Sequence, residues 1–146
     1  MILPTYSTPV LPEWIDYNGH MSEAYYVLVF GFATDAVMEE LGMGPAYRQA
    51  TSNSLYTVEA HVRYLAETSL GSDLKVNTIV AGSGDKKLHL CHEMYAQGRL
   101  IATEEILGLH VNQDTGRTCV FGGELLAGIS ARRQDPPEWS GRSITC

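Results

Sequence analysis

Six consecutive residues, Asp16-Tyr17-Asn18-Gly19-His20-Met21, bring together groups able to activate a carbonyl. An acid stands three residues before a glycine, and Ser22 and Glu23 then open a strongly apolar segment that reads as a helix. The start of a helix offers N–H groups without an intrahelical acceptor and the positive end of its dipole, a setting for an anion or a developing oxyanion. Gly19 permits a tight turn and close approach of a ligand's carbonyl to the backbone. Asp16 beside that point could attack as a nucleophile or activate a water. A plainer reading has Asp16 and Asn18 bonding only within their own turn and Gly19 supplying only a positive φ. Both stay open at this level.

No other nucleophile competes. There is no G-x-S-x-G, and the three cysteines, Cys91, Cys119 and Cys146, lie far apart with no CxxC pair. That fits neither a disulfide framework nor a structural zinc site. Cys91 and Cys119 sit in apolar, strand-like stretches and read as small core residues without an activating neighbour. Among the five histidines, His89 and His92 are three apart within a strand. Strand side chains alternate faces, so the two point apart and no metal site is expected.

The elements that must position Asp16 follow from the patterning. A helix is predicted from about Ser22 to Leu41, with Ser22 as N-cap, Glu23 at the positive end of the dipole and Gly42 ending it. Its first half, Ala24-Tyr25-Tyr26-Val27-Leu28-Val29-Phe30, is apolar nearly all round, so something must wrap it. Strands follow over Tyr56–Tyr64, Leu74–Ala81, Lys87–Tyr95, Leu100–Val111 and Thr118–Phe121, and Glu124–Ser130 suits a short helix. Gln97-Gly98 marks a tight hairpin. A first strand is expected within Tyr6–Ile15, kept to an edge or bulged role by Pro9 and Pro12. In Tyr56–Tyr64 the polar Glu59, His61 and Arg63 share one face, expected to run beside the helix start. The class is α+β: an antiparallel sheet of five or six strands wrapped around one long central helix. Residues 1–131 form the domain, and 132–146 a polar C-terminal tail in which Trp139 alone is suited to pack back on the body.

Composition narrows the function classes. The 146 residues carry 10 Lys+Arg against 17 Asp+Glu, a net charge of −7, and 45% are hydrophobic. The apolar content excludes disorder, and no stretch reaches the length of a membrane span. The acidic balance argues against nucleic acid, whose binding rests on neutralised phosphates. The opening residues lack the basic and apolar regions of an export signal, so a cytoplasmic address is expected.

Trp14-Ile15-Asp16-Tyr17-Asn18-Gly19-His20-Met21-Ser22-Glu23-Ala24-Tyr25-Tyr26 resembles the D-x-x-G-H-hydrophobic-N/S opening of hotdog-fold acyl-CoA thioesterases of the 4-hydroxybenzoyl-CoA thioesterase type. The likeness runs through the element order over roughly residues 6 to 130, with Val62-Arg63-Tyr64-Leu65 and Gly71-Ser72-Asp73 falling at that family's second strand and following turn. It implies a hotdog fold and subunits paired edge to edge as a homodimer or a dimer of dimers, with active sites at the interface. It implies Asp16 as the catalytic carboxylate, Gly19 in the turn, and the N–H groups near Glu23 and Ala24 polarising the thioester carbonyl. The substrate is then an acyl-CoA, with coenzyme A as part of it and no further cofactor.

A narrower resemblance joins this opening to Tyr56-Thr57-Val58-Glu59-Ala60-His61-Val62-Arg63-Tyr64-Leu65 and Lys87-Leu88-His89-Leu90. Together they look like the thioesterases found with bacterial carnitine dehydrogenases, which act on betainyl-CoA. A trimethylammonium acyl group wants aromatic faces, available from Trp14, Tyr17, Tyr25, Tyr26, Tyr56 or Tyr64, and a carboxylate such as Glu59. Asn18 and His20 stand in the loop beside them. The alternative is that the tyrosines are core and Glu59 pairs with Arg63. In a dimer, Glu59, His61 and Arg63 would complete the site. Lys86, Lys87 and Arg117 are cations for the CoA phosphates, with Arg132 and Arg133 also available. Two other functions fit the fold: an acyl-thioester dehydratase or hydratase, disfavoured because the helix has no histidine after His20, and a non-catalytic acyl-CoA-binding module, which would not need Asp16.

Overall fold

The computed structural model describes residues 3–146. The chain begins with β1 (Tyr6–Pro9), a 3-10 turn at Pro12–Trp14 and α1 (Glu23–Glu40). Next come α2 (Pro45–Thr51), β2 (Asn53–Tyr64), β3 (Asp73–Ser83), β4 (Lys87–Ala96), β5 (Arg99–Asn112), β6 (Arg117–Thr118) and α3 (Gly123–Ala131). The strands form one antiparallel sheet in the order β1-β3-β4-β5-β2, with β6 on the end of β5. α1 lies along one face, the inner face, and this is the hotdog arrangement expected. Among the described residues no helix is long and apolar enough to cross a membrane.

α1 has the limits its sequence sets. Ser22 holds the N-cap position with extended backbone, although its side chain makes no capping bond. At the other end Gly42 takes φ +91°, which lets Met43 N–H reach back to the Met38 carbonyl. The sheet covers one side of the helix and buries Tyr26, Val29, Phe30, Ala33, Val37 and Met38. Val27, Leu28 and Phe32 stay about 40% exposed. The sheet curls round only part of the helix, so the rest of the apolar surface is left open within this chain.

Three features depart from the expected pattern. The alternation of β2 breaks at a bulge between Thr57 and Glu59. Ala60 opposes Ile106 on the inner face, whereas Tyr56, across the bulge, opposes Leu109 and bonds Gln113 at the surface. The extra residue flips every side chain upstream of it. The second is α2, which the sequence reading left out. Its seven residues show no apolar period, and only Pro45 at its first turn and the left-handed Ser52 at its end mark it. The last strand is also shorter than expected and ends at Thr118, while Phe121 N–H bonds the Asp85 carbonyl. Gln97 and Gly98 both take positive φ, +53° and +74°, as a two-residue type I′ hairpin requires.

Residues 132–146 cross the outer face of the sheet. Gln134 N–H bonds the Val80 carbonyl, Trp139 Nε1 donates to Glu93 Oε2 at 3.0 Å, and Gly141 N–H donates to both carboxylate oxygens of Glu105 at 2.7 and 3.1 Å.

Candidate active site

The Asp16 loop is built by short-range hydrogen bonds. Ile15 and Met21 pair as an isolated antiparallel bridge, Asp16 N–H bonds the His20 carbonyl, and Gly19 N–H bonds the Asp16 carbonyl at 3.0 Å. Gly19 holds φ +80°, a conformation that nearly demands glycine. Asn18 N–H donates to Asp16 Oδ1 at 2.8 Å, orienting the carboxylate. The turn therefore uses Asp16 as the plainer reading expects, and Asp16 Oδ2 makes no hydrogen bond among the described residues.

Two further ties fix the loop to the connection between β2 and β3. Met21 N–H bonds the Thr68 carbonyl at 2.8 Å, and His20 Nε2 lies 2.7 Å from Glu67 Oε2. Ser22 N–H bonds the Trp14 carbonyl, and Tyr25 N–H bonds that of Ser22. The N–H groups of Glu23 and Ala24 have no acceptor among the described residues, so both remain available to a carbonyl oxygen at the mouth of α1.

Beside that mouth is an opening of about 480 Å³ lined by Met21, Glu23, Tyr26, Tyr64, Leu65 and Glu67, among others. Tyr26 and Tyr64 meet edge to face, with ring centroids 5.3 Å apart and planes at 84°. Tyr26 is buried and donates its hydroxyl to the Ala66 carbonyl, whereas Tyr64 is 46% exposed. Burial first, then nearby carboxylates, push the Tyr64 phenol above its usual range. Trp14 and Tyr25 stack on each other at 5.8 Å, with Trp14 in the core, and Tyr17 stands 97% exposed on the loop. Of the aromatics named from sequence, Tyr26 and Tyr64 thus face the opening, Trp14 and Tyr25 occupy one another, and Tyr56 is at the far end of β2.

Glu59, His61 and Arg63 do share a face, and it is the outer one. β2 turns Ala60, Val62 and Tyr64 towards α1, so the alternation sends the polar residues across the sheet, away from Asp16 of the same chain. Glu59 and Arg63 make no ion pair with each other among the described residues. Glu59 and His61 instead line an outer-face cavity of about 490 Å³ with Lys87, His89, Glu105 and Arg133.

Lys86, Lys87 and Arg117 gather at one end of the sheet: Lys87 opposes Leu109, His110 N–H bonds the Lys86 carbonyl, and Arg117 opposes Asn112. Asp16 belongs to the other end, where Tyr64 opposes Ala102. Seven residues of β5 separate Ala102 from Leu109, roughly 23 Å of strand. One chain therefore does not bring these cations to Asp16.

His89 and His92 point to opposite faces, as expected. His92 is fully buried under α1. Thr34 already donates its hydroxyl to the Phe30 carbonyl, so it accepts from His92 Nε2–H at 2.8 Å, and Nδ1 accepts from Thr78 at 2.8 Å. Burial pushes His92 down to about 3 and keeps it neutral. On the outer face His89, Cys91 and Glu105 offer three metal-type donors within 4.8 Å of one another. Glu105 is already bonded to His89 at 2.9 Å and to Gly141 N–H. Burial and the neighbouring Glu105 and Glu93 raise the Cys91 thiol to about 12, so it is no nucleophile at neutral pH.

One ionisable group escaped the sequence reading. Glu104, opposite His92 on β4 and Val62 on β2, faces α1 and is 5% exposed. It has no hydrogen-bond or ion-pair partner among the described residues, and burial raises its carboxyl to about 7. The signal was present: Glu104 and Glu105 are adjacent in a strand, so one of them had to face inward.

A hotdog sheet around one helix, with an oriented acid and free N–H groups at the helix mouth, defines a class of thioester hydrolases. The chain belongs to the thioesterase-like superfamily, whose profile matches residues 10–138, and it is an acyl-CoA thioester hydrolase. It is 43% identical to a betainyl-CoA thioesterase of Pseudomonas aeruginosa over 98% of this chain and 94% of that one. It is also 40% identical to an L-carnitine dehydrogenase/betainyl-CoA thioesterase of Agrobacterium fabrum, covering 90% of this chain and 28% of that one. A Staphylococcus aureus protein solved in complex with CoA superposes with a TM-score of 0.91 at 28% identity, covering 100% of this chain and 98% of that one.

Proposed function

We propose that this enzyme hydrolyses betainyl-CoA to betaine and CoA. The observation that carries the reading is the pairing of Tyr26 and Tyr64, with Glu23 and Glu67 on the same opening, directly beside the Asp16 loop. A trimethylammonium group has no N–H to donate, so aromatic faces and nearby negative charge are what recognise it. The 43% identity to a betainyl-CoA thioesterase supports the same substrate.

In this reading the thioester carbonyl points at the N–H groups of Glu23 and Ala24, which stabilise the oxyanion as charge develops. Asp16, steered by Asn18 N–H, either deprotonates the attacking water, or attacks the carbonyl itself to form a mixed anhydride that water then hydrolyses; in both cases CoA takes up a proton and leaves as the thiol. No further cofactor is needed.

A second copy completes the site. β2 is an edge strand whose residues Tyr56 to Ala60 are exposed, and Val27 and Leu28 of α1 leave apolar surface open beside it. Antiparallel pairing of two β2 strands about a two-fold sets the Asn53 end of one copy against the Tyr64 end of the other. That brings Lys86, Lys87 and Arg117 of the second copy towards this chain's Asp16, where they serve the CoA phosphates.

Thiol release from betainyl-, acetyl-, 4-hydroxybenzoyl- and long-chain acyl-CoA tests the substrate. The expected result is a kcat/KM for betainyl-CoA at least about tenfold above the rest, one cation–aromatic contact plus a nearby charge. Equal or better turnover of the uncharged acyl groups would overturn the reading.

A further inference from the structure

We propose that Glu104 is the counter-charge that selects a cationic acyl group, an inference that rests on the betainyl-CoA reading. Val62 lies directly opposite Glu104, and Tyr64 opposite Ala102, so Tyr64 is the diagonal neighbour of Glu104 on the face that packs against α1. Such diagonal pairs stand about 7–8 Å apart between backbones, within reach of long side chains. Glu104 therefore sits one step behind the Tyr26–Tyr64 pair that lines the opening at the mouth of α1.

Burial strips most of the water from the ionised form of Glu104, and no protein hydrogen bond or ion pair replaces it among the described residues. His92, its neighbour on the same face, has both ring nitrogens satisfied by Thr34 and Thr78 and offers Glu104 nothing. The carboxyl is therefore an acceptor in waiting. A quaternary ammonium needs no hydrogen bond, so it acts on Glu104 through a few ångströms of low-dielectric interior without direct contact. Glu59, the carboxylate first suggested by the sequence, is on the outer face and cannot act this way within its own chain.

The titratable groups beside Glu104 are His92, opposite it on β4, and Tyr64, its diagonal neighbour on β2; Tyr64 in turn meets Tyr26 of α1 and lies near Glu23. His92 stays neutral, and both phenols are raised above their ordinary range. Between pH 6 and 8 none of these three changes charge, whereas Glu104, raised to about 7, ionises. A cation entering the opening favours the ionised form, so its binding strengthens as pH rises through that range.

The test compares betainyl-CoA with tert-butylacetyl-CoA, in which carbon replaces the quaternary nitrogen, for the wild type and Glu104→Gln. In the wild type the ratio of kcat/KM values, charged over neutral, should exceed one and rise by up to about tenfold from pH 6 to 8, following ionisation of one group. Glu104→Gln should lower that ratio about tenfold or more at pH 8 and make it flat with pH, with circular dichroism as the check on folding. A variant that keeps the wild-type ratio and pH dependence overturns the role of Glu104 while the substrate reading stands. Equal loss on both substrates also overturns it, because that is what a merely structural carboxyl would give. A wild-type enzyme with no preference for the charged substrate overturns the substrate reading and this inference together.

Discussion

Adjacent glutamates on β5 meet opposite fates on the two faces of the sheet. Glu105, on the outer face, is held by His89 at 2.9 Å and by Gly141 N–H from the C-terminal segment. Glu104, on the inner face, lies beneath α1 with no partner among the described residues, although it is the more buried of the two. Where a carboxylate is tied to backbone and histidine, its work is structural. Where burial holds it without a partner, its charge is available to a ligand. His92 sharpens the contrast: it is as deeply buried as Glu104 but completely bonded, so it belongs with Glu105 as a structural group despite sharing the face of Glu104.

Removing a structural member of the inner face should have the largest effect on stability. His92→Ala leaves a cavity against Phe30, whose ring stacks on the imidazole at 5.8 Å, and strips Thr34 and Thr78 of their partner. We expect a loss of about 3 kcal/mol, or roughly 10 °C in Tm, by thermal denaturation. A change of only 1–2 °C would mean that the buried network holds little.

Glu104 should show the opposite sign. Its carboxyl is raised above the ordinary value, so the folded state holds the proton more tightly than the unfolded chain. The stability this gives is complete at pH 4 and is lost as pH rises towards and through 7. Glu104→Gln should therefore match the wild type near pH 4 and exceed its Tm by a few degrees at pH 8. A Tm difference that stays constant across this range would place the carboxyl in an ordinary, solvated setting.

The smallest effect belongs to the outer face. Glu105→Gln weakens the hold on Gly141 and should cost no more than about 1 kcal/mol globally. Faster amide exchange at Gly141, with Gln134 unchanged, is the expected signature. Faster exchange along the whole of 132–146 would show that this one carboxylate anchors the entire segment.

Much of this was legible in the sequence, and the exceptions have physical causes. Gly42, Glu23 and the apolar run of α1 announce the helix, and strand alternation finds β3, β4 and β5. Alternation says which residues share a face, but not which face meets the core. Glu59, His61 and Arg63 were grouped correctly, and only the structure shows that their face is the outer one, because Ala60, Val62 and Tyr64 are what pack on α1. The bulge at Val58 left no mark in residue type, so Tyr56 was placed with Tyr64. The path of 132–146 depends on single hydrogen bonds to Val80, Glu93 and Glu105, which no local pattern encodes. The turn at Asp16 was the most legible of all, since the bonds that close it between Ile15 and Met21 span at most six residues and Gly19 had to supply the positive φ.

The central claim is that catalysis belongs to the mouth of α1, on the inner side of the sheet. Thiol release from betainyl-CoA by Asp16→Asn, with circular dichroism as a check on folding, tests it most directly. Replacing the oriented acid should lower kcat by about 10²–10⁴-fold with an unchanged Tm. A folded variant that retains activity within about twofold of the wild type, well short of the loss expected for a catalytic acid or base, would contradict the account.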